Sequence, residues 1–100
     1  MADRPCYMIV VADLTDRSRF LEGYAAVVPG LVERFGGRYL VRGSGGQFLE
    51  GAWCEHPSAL VSEWPSKAAA LAFWNSPEYA AAKKLREGTG RFQVLLIEGA

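Results

Sequence analysis

One hundred residues, half of them hydrophobic and 12% aromatic, suffice for one compact domain with a packed core. Eleven basic residues balance eleven acidic ones, which removes the electrostatic drive toward nucleic acid or an anionic membrane surface. The single histidine excludes a multi-histidine metal site within one chain.

Cys6 and Cys54 are the only cysteines, far apart and without metal-ligand spacing. Both read as small buried hydrophobes. No basic segment followed by a long apolar run opens the chain, and no apolar stretch approaches the roughly 20 residues that span a bilayer. The expectation is a cytoplasmic protein with reduced thiols and no membrane partner.

Tyr7 to Leu14 is a short apolar run bounded by Pro5 and by Thr15-Asp16, which predicts a strand. Both of its faces are largely apolar, so both are expected to be covered. Thr15 and Asp16 can cap a following helix. In that helix Phe20, Tyr24, Val27, Val28, Leu31 and Phe35 recur at helical spacing. Pro29 lies inside the pattern, so a kink or break is expected near Val28. Gly36 or Gly37 can close the helix in the left-handed conformation.

Arg38 to Arg42 is the second predicted strand. Simple alternation puts Arg38, Leu40 and Arg42 on one face, with Tyr39 and Val41 on the other. Residues 43–46 read as a turn, Gln47 to Glu50 as a short extra strand, and Gly51 to Ser58 as irregular. Ala59 to Trp64 is the third main strand, stopped by Pro65. Ser66 caps a helix over Lys67 to Trp74. Ser76, Pro77 and Glu78 then open a third helix running to about Glu87, with Gly88 and Gly90 as its stop. Phe92 to Glu98 is the last strand. This order predicts a single α+β domain over residues 1–100: a ferredoxin-like βαββαβ unit with a four-stranded antiparallel sheet.

Helices cover only one face of such a sheet, whereas the first and last strands are apolar on both. The uncovered face predicts a homodimer packed sheet to sheet, because monomers rarely expose a large apolar patch.

In this topology the second and third strands are antiparallel neighbours. Arg38 is expected opposite Glu63, with Leu40 near Val61 and Arg42 near Ala59; a slip of one residue would pair Arg38 with Trp64 instead. Two readings follow. The arginines line a cavity and clamp an acidic oxygen, or Arg38 and Glu63 form a cross-strand ion pair that serves the fold. If Glu63 satisfies Arg38, Arg42 is the better candidate for meeting a ligand. His56 has the right titration range for acid–base work, but no nucleophile accompanies it, and it reads as a surface loop residue. The glycines of residues 43–46 lack the helix N-terminus that a phosphate cradle needs. Trp53, Trp64, Trp74 and Tyr79 read as core or interface anchors; alternatively Trp53 caps a cavity and stacks on a flat ligand. Lys83, Lys84 and Arg86 read as a solvated helix face.

Several runs, in order, resemble a known family: Tyr7 through Asp16; Phe35-Gly36-Gly37-Arg38-Tyr39-Leu40-Val41-Arg42-Gly43; Leu49-Glu50-Gly51 with Trp53; Glu63-Trp64-Pro65-Ser66; Trp74-Asn75-Ser76-Pro77-Glu78-Tyr79; and Leu96-Ile97-Glu98-Gly99. The pattern is similar to that of the domain-of-unknown-function (DUF) 1330 family of small, mostly bacterial proteins, over nearly the whole chain. The resemblance implies a dimeric α+β barrel, a superfamily that includes antibiotic-biosynthesis monooxygenases and muconolactone isomerases. Its members commonly use the cavity between sheet and helices, often without a metal or organic cofactor. The resemblance carries over to Arg38, Arg42, Trp53, Glu63, Trp74 and Tyr79. Where the family has basic residues before the third strand and a polar residue in the first, this chain has His56-Pro57-Ser58 and Val11, which implies a more apolar cavity.

The leading functional expectation is a cofactor-free homodimer that binds a small, flat or acidic organic ligand. Arg38 and Arg42 orient its anionic group, Trp53 and Tyr79 supply walls, and Glu63 holds an arginine in place. Its catalytic version is monooxygenase-like or isomerase-like. The alternative is a non-enzymatic interaction module whose charged residues serve fold and dimerisation.

Overall fold

The computed structural model describes residues 4–100. In chain order the elements are β1 (Cys6–Leu14), α1 (Arg17–Glu22), α2 (Tyr24–Arg34), β2 (Arg38–Gly43), β3 (Ser58–Trp64), α3 (Lys67–Trp74), α4 (Pro77–Lys83), a 3-10 turn (Lys84–Arg86) and β4 (Gly90–Glu98). The strands form one four-stranded sheet in the order β2-β3-β1-β4, with every pairing antiparallel. This is the predicted ferredoxin-like arrangement.

The two faces of the sheet differ. Cys6, Met8 and Ala12 of β1 share one face with Ser62 and Trp64 of β3, and all five are buried beneath the helices. Phe20, Tyr24, Val28, Leu31 and Val32 press on that face from α1 and α2, and Ala70, Phe73, Tyr79 and Ala82 from α3 and α4. Tyr7, Ile9, Val11 and Asp13 point to the opposite face, beside Glu63 and Val61 on one side and Ile97, Leu95, Gln93 and Arg91 on the other. Among the described residues no helix covers it, and Leu95 and Ile97 are 56% and 51% exposed.

Capping follows the sequence. The Asp16 side chain accepts from the Arg19 N–H, Ser66 from the Ala69 N–H and Ser76 from the Tyr79 N–H, each satisfying a backbone donor that the first helical turn leaves free. Gly36, at φ 93°, closes the turn after α2. Gly37 is needed for a different reason: a Cβ there would lie 2.8 Å from the Trp64 ring.

The structure corrects three expectations. The helical break falls at Gly23, not near Val28, and Pro29 sits inside an unbroken α2. Gly23 takes φ −101°, ψ −84°, and a Cβ there would meet the Arg19 carbonyl at 3.3 Å, so the chain turns where no side chain must fit. Pro29 does remove one donor, but Val28, Leu31 and Val32 are buried around it and hold the helix to the sheet. Gln47–Glu50 is not a strand. The β2–β3 ladder ends at Gly43 opposite Ala59, and Gly45 and Gly51 turn the chain outward at φ 71° and 70°. The resulting loop is closed by the Gly46 N–H donating to the Pro57 carbonyl at 2.8 Å, and it carries Leu49 almost fully exposed.

The third correction concerns β2. Arg38 pairs with Glu63 and Tyr39 with Ser62, but Val41 pairs with Val61 and Arg42 with Leu60. One extra residue, at Leu40, is inserted between Tyr39 and Val41. A bulge of this kind reverses the alternation that follows it. Arg38 and Arg42 therefore lie on opposite faces of the sheet, not on one.

Candidate functional site

On the open face, the Arg38 Nε and Nη2 donate to Glu63 Oε1 at 2.8 and 2.7 Å, and the Tyr7 hydroxyl donates to Glu63 Oε2 at 2.9 Å. Charge-assisted contacts of this length are the strong ones. Arg38 first, then Tyr7, holds the Glu63 carboxyl below its ordinary range, while the bond to Glu63 raises the Tyr7 phenol. Glu63 is thus fully engaged. At the far end of β1, Asp13 accepts from Arg91 Nη2 at 2.9 Å, and the Arg91 guanidinium lies 4.7 Å from the centre of the Trp53 ring. The apolar stripe of Ile9, Val11, Val61 and Leu95 runs between these two charged clusters.

The helix side holds a different feature. The bulge turns Arg42 over the edge of β2, where its guanidinium stacks 5.1 Å from the centre of the Tyr39 ring. There it borders a cleft of about 260 Å³ between α1, α2 and the sheet. Ala12, Phe20, Ala25 and Leu60 form its apolar walls, Arg17 and Arg42 supply its charge, and Ser44 and Ser58 complete the lining. Deeper in the layer, a void of about 20 Å³ lies among Met8, Tyr24, Tyr39, Leu60, Ser62 and Tyr79, large enough for about one water. The Tyr24 and Tyr79 hydroxyls are hydrogen-bonded at 2.8 Å. Burial, then the neighbouring Tyr79 oxygen, raises the Tyr24 phenol far above its ordinary value. Burial also raises Tyr39, against the opposing pull of Arg42.

The residues singled out from sequence therefore separate. Arg38 and Glu63 meet as expected, on the open face. Arg42 borders the cleft and Tyr79 backs the inner void. Trp53 stands apart, over Arg91. Trp74 packs against Tyr79 with ring centres 5.2 Å apart, and Lys83 lies over it at 4.8 Å. His56 is exposed on the loop, 4.0 Å from Glu55. Sequence reasoning missed Arg17. The signal was its spacing: it precedes the buried Phe20 by one helical turn, so it shares the helix face that roofs the cleft. Among the described residues, no group of three or more His, Cys, Asp or Glu side chains is placed to hold a metal ion, and no helix is long and apolar enough to cross a membrane.

A four-stranded antiparallel sheet with helices on one face and a cleft between the layers defines the ferredoxin-like α+β class. Within that class the chain belongs to the DUF1330 family, a domain of unknown function whose model matches residues 5–100. Solved structures agree on the fold. The RPA0582 protein of unknown function from Rhodopseudomonas palustris is 22% identical, with a TM-score of 0.80 over 98% of this chain and 84% of that one. A dimeric ferredoxin-like protein of unknown function from Jannaschia sp. CCS1 is 19% identical, with a TM-score of 0.71 over 95% and 99%. SnoaB, a cofactor-independent oxygenase from Streptomyces nogalater, is 9% identical, with a TM-score of 0.70 over 97% and 94%. No curated protein matches the sequence.

Proposed function

We propose that the protein is a homodimeric α+β barrel that binds a small acidic organic molecule in the helix–sheet cleft, with Arg42 meeting the acid. The observation that carries this reading is the turning of Arg42 over the sheet edge into an apolar cleft. Apolar walls with a few convergent polar groups are what ligand sites are made of. Tyr79, behind the inner void, is the deep wall. Arg38 and Glu63 are satisfied by each other and by Tyr7, so their role is in the sheet and its contact with a second copy. Trp53 is assigned to that contact as well.

Support for the dimer comes from the exposed apolar stripe, which would leave Leu95 and Ile97 in water in a monomer, and from likeness to a fold described as dimeric. Catalysis of the oxygenase or isomerase kind would draw on a guanidinium to stabilise an enolate. The cleft supplies that group, but no His, Asp, Glu or Cys to act as a base, so the stated function is binding. The second reading, a non-enzymatic module with purely structural charges, is favoured by the closed Arg38–Glu63–Tyr7 cluster.

A metabolite library screened by thermal shift separates the two readings, because a ligand that binds only the folded state raises the midpoint. The binding reading expects organic acids to raise the midpoint of the native protein and to lose that effect in Arg42→Gln. A library with no active member would leave the structural reading standing.

A further inference from the structure

We infer that Arg17 and Arg42 form a two-sided clamp for the carboxylate of a single-ring organic acid, its ring lying between Phe20 and Leu60. This rests on the binding reading above and specifies its ligand. The first support is charge. The cleft lining holds two guanidinium groups and no carboxylate, and among the described residues neither arginine has an acidic partner within 4.0 Å. The nearby acids are occupied elsewhere: Asp16 accepts from the Arg19 N–H, and Asp13 from Arg91. Other arginines of the chain do have acidic partners, including Arg4, Arg34, Arg38 and Arg91. Arg19 and Arg86 also lie outside these ion pairs, but Arg19 donates to the Glu87 carbonyl and Arg86 stacks over the Phe92 ring, whereas Arg17 and Arg42 both border an apolar cleft between helices and sheet.

The second support is geometry. Arg42 is braced on the Tyr39 ring and Arg17 is fixed at the start of α1, so they approach the cleft from the sheet edge and from the helix respectively. Planar guanidinium groups suit a planar carboxylate, which accepts two bonds in parallel. The third support is size. A volume of about 260 Å³ equals the share of about nine waters in the liquid, which suits a ligand of about ten non-hydrogen atoms. The Phe20 ring supplies a flat apolar wall and Leu60 adds a branched one, which favours a ring over a chain.

The test titrates benzoate, benzamide and inorganic phosphate into the protein, followed by chemical-shift perturbation of backbone amides. Native protein is compared with Arg17→Gln, Arg42→Gln and Leu60→Trp, and thermal midpoints verify folding. The clamp expects benzoate to move the amides of α1 and of the β2 end, with affinity falling about tenfold or more in each arginine variant. Benzamide and phosphate should bind more weakly than benzoate, and Leu60→Trp should fill the cleft and abolish binding. Benzamide binding as well as benzoate, phosphate binding better, or an Arg17→Gln variant that binds normally would overturn the clamp while leaving a cleft that accepts rings. If neither ring compound moves the cleft amides at millimolar concentration, the clamp for a ring acid falls, while the binding reading stands or falls with the metabolite library.

Discussion

The packing of Gly37 under Trp64 gives a quantitative forecast. A Cβ at Gly37 would sit 2.8–2.9 Å from three atoms of the Trp64 ring, and that ring cannot yield. It is fully buried, its centre is 4.9 Å from that of Phe73, and its Nε1 donates to Ser62 Oγ at 2.9 Å. Overpacking of this kind costs about 1–3 kcal/mol, offset by about 0.4–1 kcal/mol because alanine restricts the unfolded chain. Gly37→Ala should therefore lose about 0.5–2 kcal/mol, lowering the thermal midpoint by about 2–15 °C for a domain of this size. Gly30, inside α2, provides the opposite case: a Cβ there meets nothing within 4 Å. Gly30→Ala should gain about 0.5–1 kcal/mol, raising the midpoint by a few degrees. Differential scanning calorimetry at one protein concentration reads both. A Gly37→Ala variant as stable as the native protein, or two variants shifting the same way, would refute the claim that Trp64 pins the start of β2.

Tyr24→Phe leaves the buried Tyr79 hydroxyl without its partner and should cost about 1–3 kcal/mol in urea denaturation. The raised Tyr24 and Tyr39 phenols also set an alkaline limit. Stability is fully present below the ordinary value of 10.0 and should fall as pH rises past it; the decline should be shallower in Tyr24→Phe. Glu63 behaves in the opposite sense. Its carboxyl is held below the ordinary 4.5, so its contribution is present above that pH and lost as pH falls below it, and an acid titration of Glu63→Gln should lack this component. Leu95→Glu puts a charge into the exposed apolar stripe; sedimentation velocity should show a dimer for the native protein and a monomer for this variant.

Much of the fold was legible because local chemistry and periodicity agreed. Asp16, Ser66 and Ser76 announce their helices, the four strands read from their apolar runs, and antiparallel order narrows the partner of Arg38 to Glu63 or, by a slip of one, Trp64, with the structure taking Glu63. What failed was whatever depends on tertiary fit. Nothing local says that residue 40 is extra, because a bulge costs no particular residue type. Pro29 looks like a breaker only until buried neighbours on both sides hold its helix together, and Gly23 becomes the hinge because Arg19 and Leu85 crowd it. The cleft was half visible. Arg42 was expected on the face of Arg38 and lies on the opposite one, at the cleft, while Arg17 was overlooked because a charged residue opening a helix looks like ordinary solvent exposure.

The extra residue at Leu40 also makes β2 an adjustable switch between two surfaces. Upstream of it, the strand writes charge onto the face expected to meet another subunit; downstream, onto the cleft. Drawing Leu40 into the ladder opposite Val61 would slide Arg42 to Ala59 and carry it across to the side of Arg38, whereas deleting Leu40 would leave Arg42 opposite Leu60. The irregular loop of residues 44–57 would absorb that one-residue slip without disturbing β3. The division of charge between the open face and the cleft is thus set by where one unpaired residue sits, with no substitution on either side.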